Sequence, residues 1–195
     1  MKLRRILMLV FVVFLVATLV FSFSGCGKVA VPSGNNQSHN NSTSGNSSNV
    51  STTTASCPPN KGIVIFGTQG CPHCRALKRY SKEVFGSKGT CFVEVNPAYG
   101  ATKDAQTFFV KIYKEAYPGI PENQMGVPLA FFFYGGNVRG VFVGEVGTKT
   151  LVSLENFIST STKSVIVWNG QAYQMSATQA TLLTKDIKGF FDKHK

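Results

Sequence analysis

Two cysteines separated by two residues form the part of this 195-residue sequence whose types and spacing support chemistry. The motif Cys71-Pro72-His73-Cys74 follows the apolar run at 63–66, which predicts a strand buried on both faces. The residues after it have the apolar spacing of a helix. A Cys-x-x-Cys pair between a strand and a helix is the usual setting of a redox-active dithiol. The motif therefore predicts two thiols that close and reopen a disulfide.

Each residue of the motif has an expected role. The helix N-terminus presents free N–H groups and a positive potential to Cys71, which favours its thiolate. Pro72 stiffens the first turn, where its missing N–H costs nothing. His73 adds a positive charge or a donor beside the reduced pair. We expect Cys71 to be the attacking or attacked sulfur and Cys74 to resolve the mixed disulfide.

Two other interpretations of the motif remain open. A zinc site needs two further ligands, but the sequence has no second Cys-x-x-Cys, and His39 and His194 lie in distant segments. The pair could also be an inert structural disulfide, and an isolated His73 would be an ordinary solvated residue. We expect no metal and no organic cofactor, because the dithiol itself would carry the electrons.

Strand and helix patterns alternate around the motif, which predicts an α/β fold. A β-α-β unit is followed by a helix, a β-hairpin at Gly135-Gly136-Asn137 and another helix. A second hairpin is predicted at Asn169-Gly170, and Ser176 with Gln179 forms a capping box for a last helix. The predicted strands span 61–66, 91–95, 128–134, 138–143, 165–168 and 171–175, and the predicted helices lie near 71–85, 102–117, 151–158 and 176–191.

These pieces together resemble the thioredoxin superfamily over roughly residues 60–160. The resemblance rests on the strand before the Cys pair, on Val93-Glu94-Val95-Asn96-Pro97, on Gly126-Val127-Pro128 opening the strand before the Gly-Gly-Asn hairpin, and on the helix opening near Gly147-Thr148. It implies a thioredoxin-like domain at 57–162, a mixed sheet flanked by helices, with the hairpin and helix of 163–195 as an extension. It also implies that Pro128 is a cis proline beside the Cys pair and that the Val127 backbone meets a substrate polypeptide.

The sequence departs from cytosolic thioredoxins at two places. The Pro-His dipeptide, and Gly-Val before Pro128, are similar to bacterial Dsb-type disulfide oxidases, although the stretch 96–128 is too short for their helical insertion. Ile65 stands where thioredoxins carry a buried Asp that assists the second Cys. Glu94 could replace that acid, but a strand-end Glu is more often only solvated, so we leave it out of the catalytic set.

Two further cysteines are candidates for a structural disulfide. Cys57 precedes the first predicted strand and Cys91 begins the second. If those strands are parallel neighbours, both sulfurs lie near the same sheet edge, and a bond between them would stabilise the fold by about 3–4 kcal/mol. Two free buried thiols are the alternative.

The first 25 residues have the pattern of a signal peptide or membrane anchor. An uncharged apolar run at 6–23 follows a basic cluster made of Lys2, Arg4 and Arg5. The run ends in Phe23-Ser24-Gly25-Cys26, which resembles a lipobox and predicts lipidation of Cys26. An uncleaved helix and free secretion are the alternatives, and all three place the later residues outside the cytoplasm.

Residues 26–56 are predicted to be a disordered tether rich in Ser, Thr and Asn. The whole chain carries 20 Lys+Arg and 9 Asp+Glu, and its basic character suits an anionic surface. We assign it no nucleic-acid function.

The sequence thus predicts an extracytoplasmic, membrane-tethered thiol–disulfide oxidoreductase. Its expected partners are thiols or disulfides of exported proteins and a membrane redox partner. The alternatives are an extracytoplasmic reductase, for example in cytochrome maturation, a non-catalytic binding lipoprotein and a copper-delivery protein.

Overall fold

The computed structural model of this chain describes residues 57–195, which belong to one compact unit. The predicted export segment, the lipidation site Cys26 and the tether all lie outside the described residues. Within 57–195, no helix combines the length and the apolar character that crossing a bilayer requires.

Six strands and four helices follow one another in the described part of the chain. The strands are β1 (Lys61–Gly67), β2 (Thr90–Glu94), β3 (Leu129–Tyr134), β4 (Asn137–Val143), β5 (Ser164–Trp168) and β6 (Gln171–Met175). The helices are α1 (Pro72–Phe85), α2 (Lys103–Ala116), α3 (Thr148–Thr160) and α4 (Ala177–Lys193). Short 3-10 turns at Pro97–Tyr99 and Glu122–Gln124 flank α2.

Proline, glycine and hydroxyl-bearing residues mark the helix ends, and all of them can be recognised in the sequence. Pro72 occupies the first turn of α1, and Gly86 ends that helix with a positive φ of 69°. Thr102 caps α2, its Oγ1 accepting from the Ala105 N–H at 3.1 Å. Ser176 caps α4 in the same way by accepting from the Gln179 N–H.

All six strands form one mixed sheet in the order β2-β1-β3-β4-β5-β6. β1 pairs with β2 in parallel and with β3 antiparallel, and β3 pairs with β4 across the Gly135-Gly136 turn. β4 pairs with β5 in parallel across the α3 crossover, and β6 closes the other edge. The α/β class and the mixed sheet flanked by helices are therefore confirmed.

The helices cover both faces of the sheet. Alternate residues of β1 and β3 are therefore buried on opposite faces. On one face Ile63, Ile65 and Phe132 pack with Leu77 of α1 and Leu151 of α3. The other face carries a larger core against α2 and α4, made of residues such as Val64, Phe66, Phe131, Ile112, Tyr113, Leu183 and Ile187. This three-layer arrangement holds β1 between the two cores and thereby fixes the start of α1.

The hairpin and helix predicted as an extension after residue 162 pack against the preceding part of the chain. The β5–β6 hairpin continues the main sheet, and the side chains of Leu183 and Ile187 in α4 are fully buried in the core that also holds Phe133 and Val138. Thr184 ties the helix to β4 by accepting from the Val138 N–H at 2.8 Å. Local hairpin and capping signals define these elements, but they do not identify the strand beside which the elements pack.

Two adjacent leucines test whether α4 is part of the folded core. Leu183 is fully buried, whereas Leu182 is 44% exposed. We expect Leu183→Ala to lower the free energy of unfolding by about 2–5 kcal/mol, because it leaves a cavity in the core. Leu182→Ala should change it by less than about 0.5 kcal/mol. Urea denaturation measures both, and equal effects would mean that α4 is a dispensable appendage.

Candidate active site

Cys71 immediately precedes α1, after the loop that follows β1. It is the N-cap residue, with φ −88° and ψ 121°, and its carbonyl accepts from the Arg75 N–H at 3.2 Å. Its own N–H donates to the Thr68 carbonyl at 3.0 Å, which closes a tight turn after β1. The side chain is half-buried and its thiol is free, so solvent or a partner can reach this sulfur.

Cys74 lies one turn further on and has no exposed surface. Its sulfur packs against the last residue of β1, Gly67: a Cβ built on Gly67 would lie 2.9 Å from Sγ and 3.2 Å from Cβ of Cys74. A residue without a side chain is therefore needed at position 67 for the helix to lie this close to the strand. The end of β1 therefore packs directly against the buried Cys74 thiol.

Burial raises the pKa of the Cys74 thiol from its ordinary value of 9.0 to about 12. The Thr68 backbone hydrogen bond opposes this rise, while the nearby Cys71 thiol and the Glu94 charge add to it. Cys74 is therefore a neutral thiol at physiological pH. The site combines one accessible sulfur with one protonated, sheltered sulfur.

Glu94, at the end of β2, anchors the loop that carries the motif. Its Oε2 accepts from the Gln69 N–H at 2.8 Å, and its Oε1 accepts from the Asn96 N–H at 2.9 Å. Arg75 supports the same loop by donating from Nη1 to the Gln69 carbonyl at 2.6 Å. The carboxylate that the sequence analysis left out of the catalytic set therefore has a positioning role, and Ile65 is fully buried in the core beneath α1.

His73 contacts a carboxylate that is distant in the sequence. Its Nδ1 lies 2.7 Å from Oε2 of Glu145, which follows β4 in the chain. The His73 side chain is 48% exposed, so solvent screens this pair. The contact links the dithiol motif to the loop after β4.

Pro128 is fully buried at the start of β3, and its bond to Val127 is cis. The pairing of Phe66 with Leu129 brings Pro128 alongside Gly67, the residue that lies under Cys74. The Pro128 carbonyl accepts from the Gly144 N–H at 2.8 Å, whereas neither backbone group of Val127 is hydrogen-bonded within residues 57–195. Val127 thus keeps a free donor and acceptor next to the Cys pair.

Cys57 and Cys91 form a disulfide at the outer part of the sheet. Their Cα atoms are 6.1 Å apart, and 34 residues separate them in sequence. The strands β1 and β2 are parallel neighbours, which was the condition for this pairing. The bond ties the segment before β1 to β2 and leaves Cys71 and Cys74 as the free thiols of the described region.

The described residues contain no cluster of three or more His, Cys, Asp or Glu side chains able to hold a metal. The sequence analysis did not identify the site residues Gly67, Thr68, Gln69, Arg75 and Glu145. The end of an apolar strand immediately before the motif gave a signal for Gly67. No sequence signal connects Glu145 to His73, because 72 residues separate them.

The chain matches no protein-family model, no curated protein and no solved structure.

The contact between Gly67 and Cys74 gives a direct test of the site's packing. We expect Gly67→Ala to lower the free energy of unfolding by about 1–3 kcal/mol, because the added methyl group would overlap the buried sulfur of Cys74. Gly189→Ala is the control, since a Cβ there meets no atom within 4 Å and should stabilise α4 by up to about 1 kcal/mol. Urea denaturation distinguishes the two, and a Gly67→Ala protein as stable as wild type would contradict the packing.

The buried thiol should also give the stability a pH dependence. Between pH 9 and about 12 the unfolded chain loses the Cys74 proton while the folded chain keeps it, so stability falls as the pH rises. A Cys71→Ser variant, which cannot form the motif disulfide, should lose roughly 1 kcal/mol more between pH 8 and pH 10 than Cys71→Ser/Cys74→Ala. Parallel losses in the two variants would mean that the thiol is not buried.

Proposed function

We propose that this protein is a thioredoxin-like thiol–disulfide oxidoreductase. The observation that carries the proposal is the pairing of a half-buried Cys71 at a helix N-cap with a fully buried Cys74 one turn later. An accessible sulfur can bond to a partner, while a sheltered one can displace that partner. The buried Pro128 beside them and the free backbone of Val127 support a docking edge for an extended polypeptide.

The particular activity proposed is the formation of disulfides in exported proteins by a domain tethered outside the cytoplasm. The export and tether assignments rest on the sequence of residues 1–56, and the disulfide between Cys57 and Cys91 agrees with an oxidising compartment.

The exchange would proceed in two displacements. A substrate thiolate attacks Sγ of Cys71 in the oxidised enzyme, the bond between Cys71 and Cys74 breaks, and Cys74 leaves and takes up a proton. A second substrate thiolate then attacks the substrate sulfur of the mixed disulfide and releases Cys71 as a thiolate. The substrate has lost two electrons and gained a disulfide, and the enzyme is left as a dithiol. A membrane redox partner must remove these two electrons before the next turnover.

An extracytoplasmic reductase is the second candidate. The accessible Cys71 sulfur can attack a substrate disulfide, and the buried Cys74 can then displace the substrate from the mixed disulfide. The same residues then run the two displacements in reverse, with a substrate disulfide reduced and the Cys71–Cys74 disulfide formed.

Exchange assays on the chain test the proposed activity. We expect Cys71→Ser to reduce both insulin reduction and the oxidation of reduced ribonuclease to the uncatalysed rate, because no mixed disulfide can form. Cys57→Ser/Cys91→Ser is the matched control: it should keep exchange while losing about 4 kcal/mol of stability. Unchanged rates in Cys71→Ser would support a non-catalytic binding protein instead.

Equilibration with glutathione sets the direction of the reaction. A potential near that of strong disulfide donors, about −120 mV, is expected for the oxidase. A potential near that of thioredoxin, about −270 mV, would overturn the oxidase and support the reductase.

A further inference from the structure

A basic groove runs along α1 from the dithiol motif. Its volume is about 640 Å³. It begins at Gln69 and Arg75, which flank the Cys pair in sequence, and Phe92 of β2 forms its apolar wall. The remaining lining residues, one or two turns further along α1, are Lys78, Arg79, Lys82 and Glu83.

The groove holds four cations and one carboxylate. Glu83 is already engaged, because its Oε2 accepts from the Thr148 hydroxyl at 2.9 Å. Within residues 57–195, none of the four cationic side chains lies within 4 Å of a carboxylate oxygen, and the four cations outnumber the one carboxylate, so the groove lining carries a net positive charge. Five other lysines do form ion pairs, namely Lys61, Lys111, Lys114, Lys193 and Lys195.

Three of these cations make contacts within the protein. Arg75 donates to the Gln69 carbonyl at 2.6 Å, and the Arg79 guanidinium lies 4.8 Å from the centre of the Tyr80 ring. Lys78 is half-buried, with its ammonium 4.5 Å from the centre of the Phe92 ring; burial and Lys82 lower its pKa, and the charge of Glu94 opposes this shift. A partly desolvated cation that makes no direct ion pair gains from an anionic ligand.

The dimensions of the groove fit a short piece of extended polypeptide. Arg75 and Lys82 are seven residues apart on α1, so about 10 Å of helix separates them. That length matches about three residues of extended chain. The groove starts at Gln69 and Arg75, which lie on either side of Cys71 in the sequence.

We propose that the basic groove binds an acidic stretch of the polypeptide that exchanges its disulfide with Cys71. The groove would thus select substrates with Asp or Glu within a few residues of the reacting cysteine. This inference rests on the proposed function, because it assigns a substrate class to the same site.

Matched peptides test the selection. One peptide has two cysteines and carries three Asp residues next to one of them. A second peptide is identical except that three Asn residues replace the three Asp residues. We expect the wild-type protein to oxidise the acidic peptide with a kcat/KM about tenfold higher, a preference that falls as salt rises. Lys78→Gln/Arg79→Gln/Lys82→Gln should abolish the preference.

The control variant removes the same charge elsewhere. Lys103→Gln/Lys163→Gln/Lys185→Gln changes three exposed lysines outside the groove and should keep the preference. Loss of the preference in both variants would mean that net charge alone is responsible, which overturns the groove as a binding site.

The remaining outcomes separate this inference from the proposed function. Equal oxidation of both peptides by the wild-type protein would overturn the groove and leave the oxidoreductase intact, whereas no oxidation of either would overturn both. Vesicles containing phosphatidylglycerol provide the last comparison. If the groove variant lost vesicle binding but kept its peptide preference, the cations would serve an anionic lipid surface instead, and the proposal would be wrong.

Discussion

The close contact between the end of β1 and the first turn of α1 is the constraint on which the site depends. Because Gly67 has no side chain, the helix can lie close enough to the strand to bury Cys74, while the N-cap position leaves Cys71 partly open. One backbone path thereby gives two chemically identical side chains different environments. The two core clusters that enclose β1 make this path rigid, and a rigid path is what a pair of sulfurs needs in order to bond and separate without unfolding the chain.

Charge is distributed unevenly around this contact. Glu94 uses both oxygens to hold the motif loop and adds to the rise in the Cys74 pKa, and Glu145 meets His73 on the other side of the motif. The positive charge of the region lies further along α1, in the basic groove. The electrostatics near the sulfurs therefore act on the buried Cys74 thiol, whereas the proposed role of the charges in the groove is to select a partner.

The sequence predicted the elements well, because each carries a strong local signal. The apolar run at 63–66 is a strand buried on both faces. Asn169-Gly170 forms the predicted turn between β5 and β6, with positive φ values of 49° and 75°. The place of the C-terminal hairpin and helix was not predicted, since pairing of β5 with β4 depends on long-range packing. Glu145 could not be connected to His73 for the same reason. The groove had a readable signal, because Arg75, Lys78, Arg79 and Lys82 follow the i, i+3, i+4, i+7 spacing of one helix face.

The central claim is that Cys71 bonds to partners while Cys74 bonds only to Cys71. Trapping with a thiol-containing peptide under mild oxidation, followed by mass mapping of the adduct, tests it most directly. The account predicts that a Cys74→Ala protein accumulates a stable mixed disulfide at Cys71 and that a Cys71→Ala protein accumulates none at Cys74. An adduct on Cys74, or equal adducts on both cysteines, would contradict the asymmetry from which the mechanism follows.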